Sequence, residues 1–128
     1  MKVLLVDDDA DDRSLFIQAI FQVDRTITCY VMSDGQQALR FLEDVNNPVP
    51  DYIFLDLRMP RIDGRKCLEK IRQDKRTEKV PVIIYTTSTD VKDAKELSET
   101  GATHFISKPS NPEEVYYLVS QTLNEKWG

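Results

Sequence analysis

Five short apolar runs recur along the chain, each separated from the next by a polar segment long enough to make a helix. The runs are Val3-Leu4-Leu5-Val6, Ile27 to Met32, Tyr52-Ile53-Phe54-Leu55, Val82-Ile83-Ile84-Tyr85 and Phe105-Ile106. Most are continuous rather than alternating, the pattern of parallel strands covered on both faces. Between them, apolar residues stand at helical spacing: Phe16, Ala19, Ile20 and Val23; Ala38, Phe41, Leu42 and Val45; Val115, Leu118, Val119 and Thr122. Two weaker helices are expected near Lys66 to Arg72 and Val91 to Leu97. Ser33-x-x-Gln36 and Ser110-x-x-Glu113 read as capping boxes before the second and last helices, with Pro112 in the first turn of the latter. Asp63-Gly64 reads as a turn before the third helix, and Gly101 as a stop after the fourth. A helix in every strand-to-strand connection forces parallel strands and right-handed crossovers. The expected fold is therefore α/β, a (βα)5 chain with helices on both faces of one sheet.

Other classes are disfavoured. At 128 residues the expectation is one domain over 1–128. Its apolar and charged fractions, 41% and 30%, are those of an ordinary globular chain. The formal charge of -5 argues against non-specific nucleic-acid binding and against an anionic membrane surface. No apolar run approaches the ~18 residues of a membrane span, and the first run stops at Asp7, too early for a signal peptide. Cys29 and Cys67 lack CxxC spacing and read as free thiols, which points to a reducing cytoplasm. The four glycines are too scattered for a P-loop or a dinucleotide fingerprint.

Open α/β sheets bind ligands beyond the carboxyl ends of their strands. Asp7, Asp8 and Asp9 follow the first run; Asp56 follows the third. Thr86, Thr87 and Ser88 close the fourth, and Ser107, Lys108 and Pro109 follow the fifth. Taken singly, an Asp after a strand often caps the next helix, and a lone lysine is usually a solvated one. Together they put three carboxylates, a hydroxyl and an ammonium at one sheet edge. Clustered carboxylates repel one another unless a cation joins them. Mg²⁺ is the expected cation, since it takes oxygens and keeps several waters, and no histidine or cysteine stands here at zinc spacing. A lysine and a threonine beside the metal point to phosphoryl chemistry, with Asp56 the best-placed carboxylate nucleophile.

Four segments resemble the receiver domain of two-component response regulators: Val6-Asp7-Asp8, Asp56 to Gly64, Pro81 to Thr86-Thr87, and Lys108-Pro109. The resemblance runs over essentially the whole chain. It implies a flavodoxin-like sheet of order 2-1-3-4-5. It implies phosphorylation at Asp56 and a metal, Mg²⁺ or alternatively Mn²⁺, held by Asp7, Asp8, Asp56 and the backbone carbonyl of Arg58. Thr86 becomes the switch hydroxyl and Lys108 the phosphoryl-binding ammonium. The backbone N–H groups of Arg58 and Thr87 would reach phosphoryl oxygens, and Lys108-Pro109 would be a cis peptide. Phe105 falls at the aromatic switch position, where a phenyl ring can fill space but makes no hydroxyl hydrogen bond.

The implied partners are a sensor histidine kinase or a histidine phosphotransfer protein, and a downstream protein target. The implied readout surface is helix 4, strand 5 and helix 5, with Tyr116, Tyr117 and Trp127 on the last helix and a homodimer as one use of that face. The segment Asp9 to Arg13 and the run Ile84 to Ser88 look closest to stand-alone receivers, including those paired with phytochrome-type kinases. No output domain is expected to follow. Arg58 and Ser88 would flank the path of a hydrolytic water. His104, the single histidine, reads as structural. Two other readings stay open on the residues alone. A phosphatase of the haloacid-dehalogenase type also uses Asp, Thr or Ser, Lys and Mg²⁺, but usually carries a second Asp where this chain has Arg58. A receiver-like module that binds without being phosphorylated would need none of the five site residues. A flavodoxin-type cofactor binder is disfavoured by the acidic first loop. The receiver reading makes the chain a switch that acts on itself, not a turnover enzyme.

Overall fold

The computed structural model describes residues 1–59, 62–87 and 91–124, the side chains of residues 91–93 excepted. Pro60 and Arg61 of the Asp56–Gly64 segment, together with Ser88 and Trp127, lie outside the described residues. Five strands alternate with five helices: β1 (Lys2–Val6), α1 (Ala10–Val23), β2 (Thr28–Met32), α2 (Gly35–Glu43), β3 (Tyr52–Leu55), α3 (Gly64–Gln73), β4 (Val82–Thr86), α4 (Val91–Thr100), β5 (His104–Ser107) and α5 (Pro112–Asn124). The strands form one parallel sheet of order β2-β1-β3-β4-β5. The chain leaves β1 towards β2, then returns to place β3 on the other side of β1. The carboxyl ends of β1 and β3 therefore border the crevice where connections diverge.

Each sheet face carries its own core. Val3, Leu5, Phe54, Ile83 and Tyr85 point to α1 and α5, meeting Phe16, Ala19, Ile20, Val115 and Val119. Leu4, Val6, Ile53, Leu55 and Ile84 point to α2, α3 and α4, meeting Ala38, Leu42, Cys67, Leu68, Ile71 and Leu97. A period of two divides each run between the faces, so β3, Val3–Val6 of β1 and Val82–Tyr85 of β4 are apolar at every position. Phe16 packs edge-on to Phe54 at 4.8 Å between ring centroids. Burial of one such ring contributes about 2–3 kcal/mol. The edge strands β2 and β5 are only half covered, which is why their runs are less uniform.

Helix starts depart from the expected boxes by one residue. Asp34, not Ser33, caps α2: its side chain accepts from the Gln37 N–H, while the Ser33 N–H and hydroxyl both donate to the Gln37 side chain. Asn111 Oδ1 accepts from the Glu114 N–H at the start of α5, with Pro112 as first helical residue. In each case a nearby Asx carboxylate or amide accepts the N–H in place of the Ser hydroxyl. Helix α2 stops at Glu43, and Val45 is 78% exposed, so its stripe is completed by Leu39 instead. Gly101 ends α4 in the left-handed region, φ 121°, where its N–H donates to the Leu97 carbonyl. Arg72 ties this end to α3. Its Nε donates to the Gly101 carbonyl at 2.8 Å, and Nη1 donates to the carbonyls of Thr77, Glu78 and Val80. Among the described residues no helix is long and apolar enough to cross a membrane.

Candidate functional site

The carboxyl ends of β1, β3, β4 and β5 converge on one acidic pocket. Asp7 follows β1 directly; its N–H donates to the Met32 carbonyl, which extends the sheet one residue and turns the side chain inward. Asp56 follows β3 in the same way, donating to Val6. Both side chains are buried. Asp8 is exposed beside them, and Asp9 caps α1 by accepting from the Asp12 N–H. Carboxylate oxygens of Asp7, Asp8 and Asp56 all lie within 4.8 Å of one another.

Lys108 supplies the positive charge. Its N–H donates to the Thr86 carbonyl at 2.8 Å, fixing the residue at the end of β5. Its Nζ stands 2.8 Å from Asp7 Oδ2, 2.9 Å from Asp12 Oδ2 and 3.0 Å from Asp56 Oδ2. Burial alone would lower the lysine's pKa, but the three carboxylates outweigh it and the value is raised. Burial pushes the Asp7 carboxyl up to about 6, against the lowering effect of Lys108 and of the Asp9 N–H, which donates to Oδ1. Asp7 Oδ2 is buried with the Lys108 ammonium 2.8 Å away, and among the described residues it accepts no other hydrogen bond. A buried carboxylate in this state, grouped with two others in an all-oxygen set, fits a hard divalent cation.

The Arg58 N–H donates to Asp56 Oδ1 at 3.2 Å, which brings its backbone to the carboxylate while its side chain is exposed. Thr86 is fully buried and its hydroxyl has no partner among the described residues. Such an orphan in a native core calls for an explanation. Thr87 is exposed just beyond it. Phe105 is half-buried against the α2–α4 core. Register pairs Thr86 with Ser107 and Ile84 with Phe105, so Thr86 and Phe105 sit diagonally on one face. Phe105 also lines a hollow of about 190 Å³ with Ala94, Ser98 and Ala102. The expected cis Lys108-Pro109 bond is corrected: no peptide bond among the described residues is cis. The trans form is favoured even before proline, and Lys108 reaches its three carboxylates with it.

Three site residues were not singled out from the sequence. Asp12 stands one helical turn from Asp8 and at i+3 from its cap, a spacing that puts it over the same edge. Arg13 donates from Nη1 to the Asp7 carbonyl at 2.9 Å, a backbone contact no pattern signals. Gly64 packs so closely that a Cβ there would collide with the Asp56 carbonyl oxygen and Leu57 Cα. In sequence the Asp63-Gly64 pair signals only a turn.

The family model described as response regulator receiver domain matches residues 3–120. Response regulator Rcp1 of Synechocystis is 29% identical, with 98% of this chain aligned to 88% of Rcp1. The probable transcriptional regulator ycf27 of Guillardia theta is 33% identical over 95% of this chain, which spans only 45% of that longer protein. The Mn²⁺-bound structure of Rcp1 superposes with a TM-score of 0.84 over 94% of this chain and 89% of that one, at 29% identity. The phosphorylated cyanobacterial phytochrome response regulator RcpA gives 0.87 with the same coverages, at 28% identity.

Proposed function

This chain belongs to the response regulator receiver domain family, and from that premise we propose that Asp56 accepts a phosphoryl group from a phosphohistidine on a partner protein. The observation that carries the reading is the cluster of Asp7, Asp8, Asp56 and Lys108, with the buried Thr86 hydroxyl, unpartnered among the described residues, on the neighbouring strand end. A receiver acts on itself rather than turning over a separate substrate. An Asp56 oxygen attacks phosphorus, the P–N bond breaks, and the imidazole leaves with the bond's electron pair. The product is an acyl phosphate on this chain.

Each residue has a task in that step. The Arg58 N–H and Lys108 hold both Asp56 oxygens and so orient the nucleophile. The Lys108 ammonium lies where charge would gather on the transferred oxygens. Asp7 and Asp8, with Asp56 and the Arg58 carbonyl, would hold Mg²⁺, or Mn²⁺ as in the Rcp1 structure; a bound divalent ion supplies charge neutralisation at the phosphoryl oxygens. Thr86 is buried and its hydroxyl has no partner among the described residues, which leaves it available to a phosphoryl oxygen. The Thr87 N–H would reach a second oxygen. Movement of Thr86 frees space on the face it shares with Phe105, and the ring's turn biases an existing two-state equilibrium.

The signal would leave through α4, β5 and α5, where Tyr116 and Tyr117 are exposed, to a downstream protein or a second copy. The donor is a sensor histidine kinase or a histidine phosphotransfer protein. Cys29 and Cys67 are free thiols, which supports placing the protein in a reducing cytoplasm. The test is intact mass after incubation with acetyl phosphate and Mg²⁺. One acid-stable, base-labile phosphoryl adduct is expected, absent from Asp56→Asn and without Mg²⁺. An undiminished adduct in Asp56→Asn overturns the site; steady phosphate release from an ester overturns the receiver reading in favour of a phosphatase.

A further inference from the structure

Two cations compete for the same carboxylates in this pocket. Lys108 contacts Asp7, Asp12 and Asp56. The metal-capable group is Asp7, Asp8 and Asp56. Two of the lysine's three anions are therefore also the metal's. A divalent ion on Asp7 and Asp56 takes lone pairs that Lys108 uses and repels the ammonium, with water largely excluded: the Lys108 side chain is 5% exposed. Yet phosphoryl chemistry at Asp56 needs both charges present together.

Among the described residues Asp12 is the one carboxylate partner of Lys108 that stands outside the metal-capable group. It comes from the first turn of α1, and its side chain is 31% exposed where that of Asp7 is fully buried. Its oxygen and that of Asp7 both lie within 2.9 Å of one nitrogen. The ammonium can thus shift its weight from one to the other without leaving the pocket. We propose that Asp12 is a positioning residue that retains the Lys108 ammonium at Asp56 when a divalent cation occupies Asp7, Asp8 and Asp56, so that the two cations coexist. The inference rests on the receiver reading of the site and adds to it a fourth carboxylate with a separate task. Without Asp12 the lysine falls back on Asp7 and Asp56 and becomes a direct competitor of the metal.

The test is Mg²⁺ affinity, measured by calorimetry on the intact, unphosphorylated protein. Asp12→Asn is expected to weaken Mg²⁺ roughly threefold to tenfold, from renewed competition together with loss of a nearby charge. Asp11→Asn removes an equal charge from the same helical turn without touching Lys108, and is expected to weaken Mg²⁺ less than twofold. Asp12→Glu, which keeps the carboxylate, is expected to restore most of the affinity. The Mg²⁺ concentration giving half-maximal phosphorylation by acetyl phosphate should shift with the calorimetric value. Equal weakening by Asp11→Asn and Asp12→Asn overturns the proposal, since Asp12 would then be only a distant charge. Unchanged affinity in Asp12→Asn overturns it as well. A wild-type protein that binds no Mg²⁺ overturns both this inference and the metal reading. A protein that binds Mg²⁺ normally but is phosphorylated elsewhere than Asp56 sinks the receiver site alone.

Discussion

Asp7→Asn should stabilise the protein at neutral pH and leave its stability in acid unchanged. Burial lifts the Asp7 carboxyl from 3.8 to about 6, against the lowering pull of Lys108 and the Asp9 N–H. A carboxyl with a raised folded-state pKa holds its proton more tightly in the fold than in the unfolded chain. Below pH 3.8 it is protonated in both states and carries no penalty. Between 3.8 and about 6 the unfolded chain ionises first, so stability falls as pH rises. Above about 6 the penalty is complete: some two units at 1.36 kcal/mol each give at most about 3 kcal/mol. Asparagine keeps the shape and removes the charge. Urea unfolding of both proteins at pH 4, 5, 6 and 7 measures the difference, in which titrations remote from Asp7 cancel. The variant should gain up to about 3 kcal/mol at pH 7, roughly 10 °C in Tm, and the two curves should converge by pH 4. Added Mg²⁺ should raise the wild type and not the variant. Parallel curves from pH 4 to 7, or a less stable variant at pH 7, would refute the reasoning.

Lys108→Met removes the ammonium that contacts three carboxylates and leaves Asp7 and Asp56 buried; a loss of about 3–5 kcal/mol at pH 7 is expected, shrinking towards pH 4, by the same urea assay. Gly64→Ala forces a Cβ against backbone atoms of Asp56 and Leu57. It should cost about 1–3 kcal/mol and slow phosphorylation by acetyl phosphate at saturating Mg²⁺; unchanged rate and stability would show that the loop yields freely. Arg72→Leu strands the carbonyls of Gly101, Thr77, Glu78 and Val80. Amide hydrogen exchange should speed up at the α4–β5 junction, and stability should drop by about 2 kcal/mol or more.

The apolar runs made the fold legible because a strand covered on both faces must be apolar at every position, as in Ile53, Phe54 and Leu55. Strand order was legible only through family resemblance: nothing in the runs themselves says that β3 lies beside β1 and not beside β2. Asp7, Asp56, Thr86 and Lys108 could be read because each directly ends or follows a strand, where alternation and sheet direction fix its place. Asp12 and Arg13 could not. Their contribution depends on how far α1 is rotated, and the acidic stretch Asp7 to Asp12 offers several carboxylates that spacing alone does not rank. The cap positions were missed by one residue because Ser33 and Asp34 can both accept an N–H, and the choice follows the entry angle of the chain. The trans Lys108-Pro109 bond marks the limit of residue-by-residue carry-over.

The span of the lysine's bonds has a consequence for how the chain assembles. Lys108 lies 96 residues from Asp12 and 52 from Asp56, so the pocket joins the first, third and last strand–helix units. A partial product that lacks β5 lacks the ammonium that joins Asp7, Asp12 and Asp56, whatever sheet it has formed. Contacts of such separation are entropically dear to close and form late. The charged pocket is therefore a record of completed folding. The phosphoryl donor proposed above would then meet Asp56 together with Lys108 only on chains whose β5 is already in place, and a chain interrupted before residue 108 should be a poor acceptor without any dedicated check.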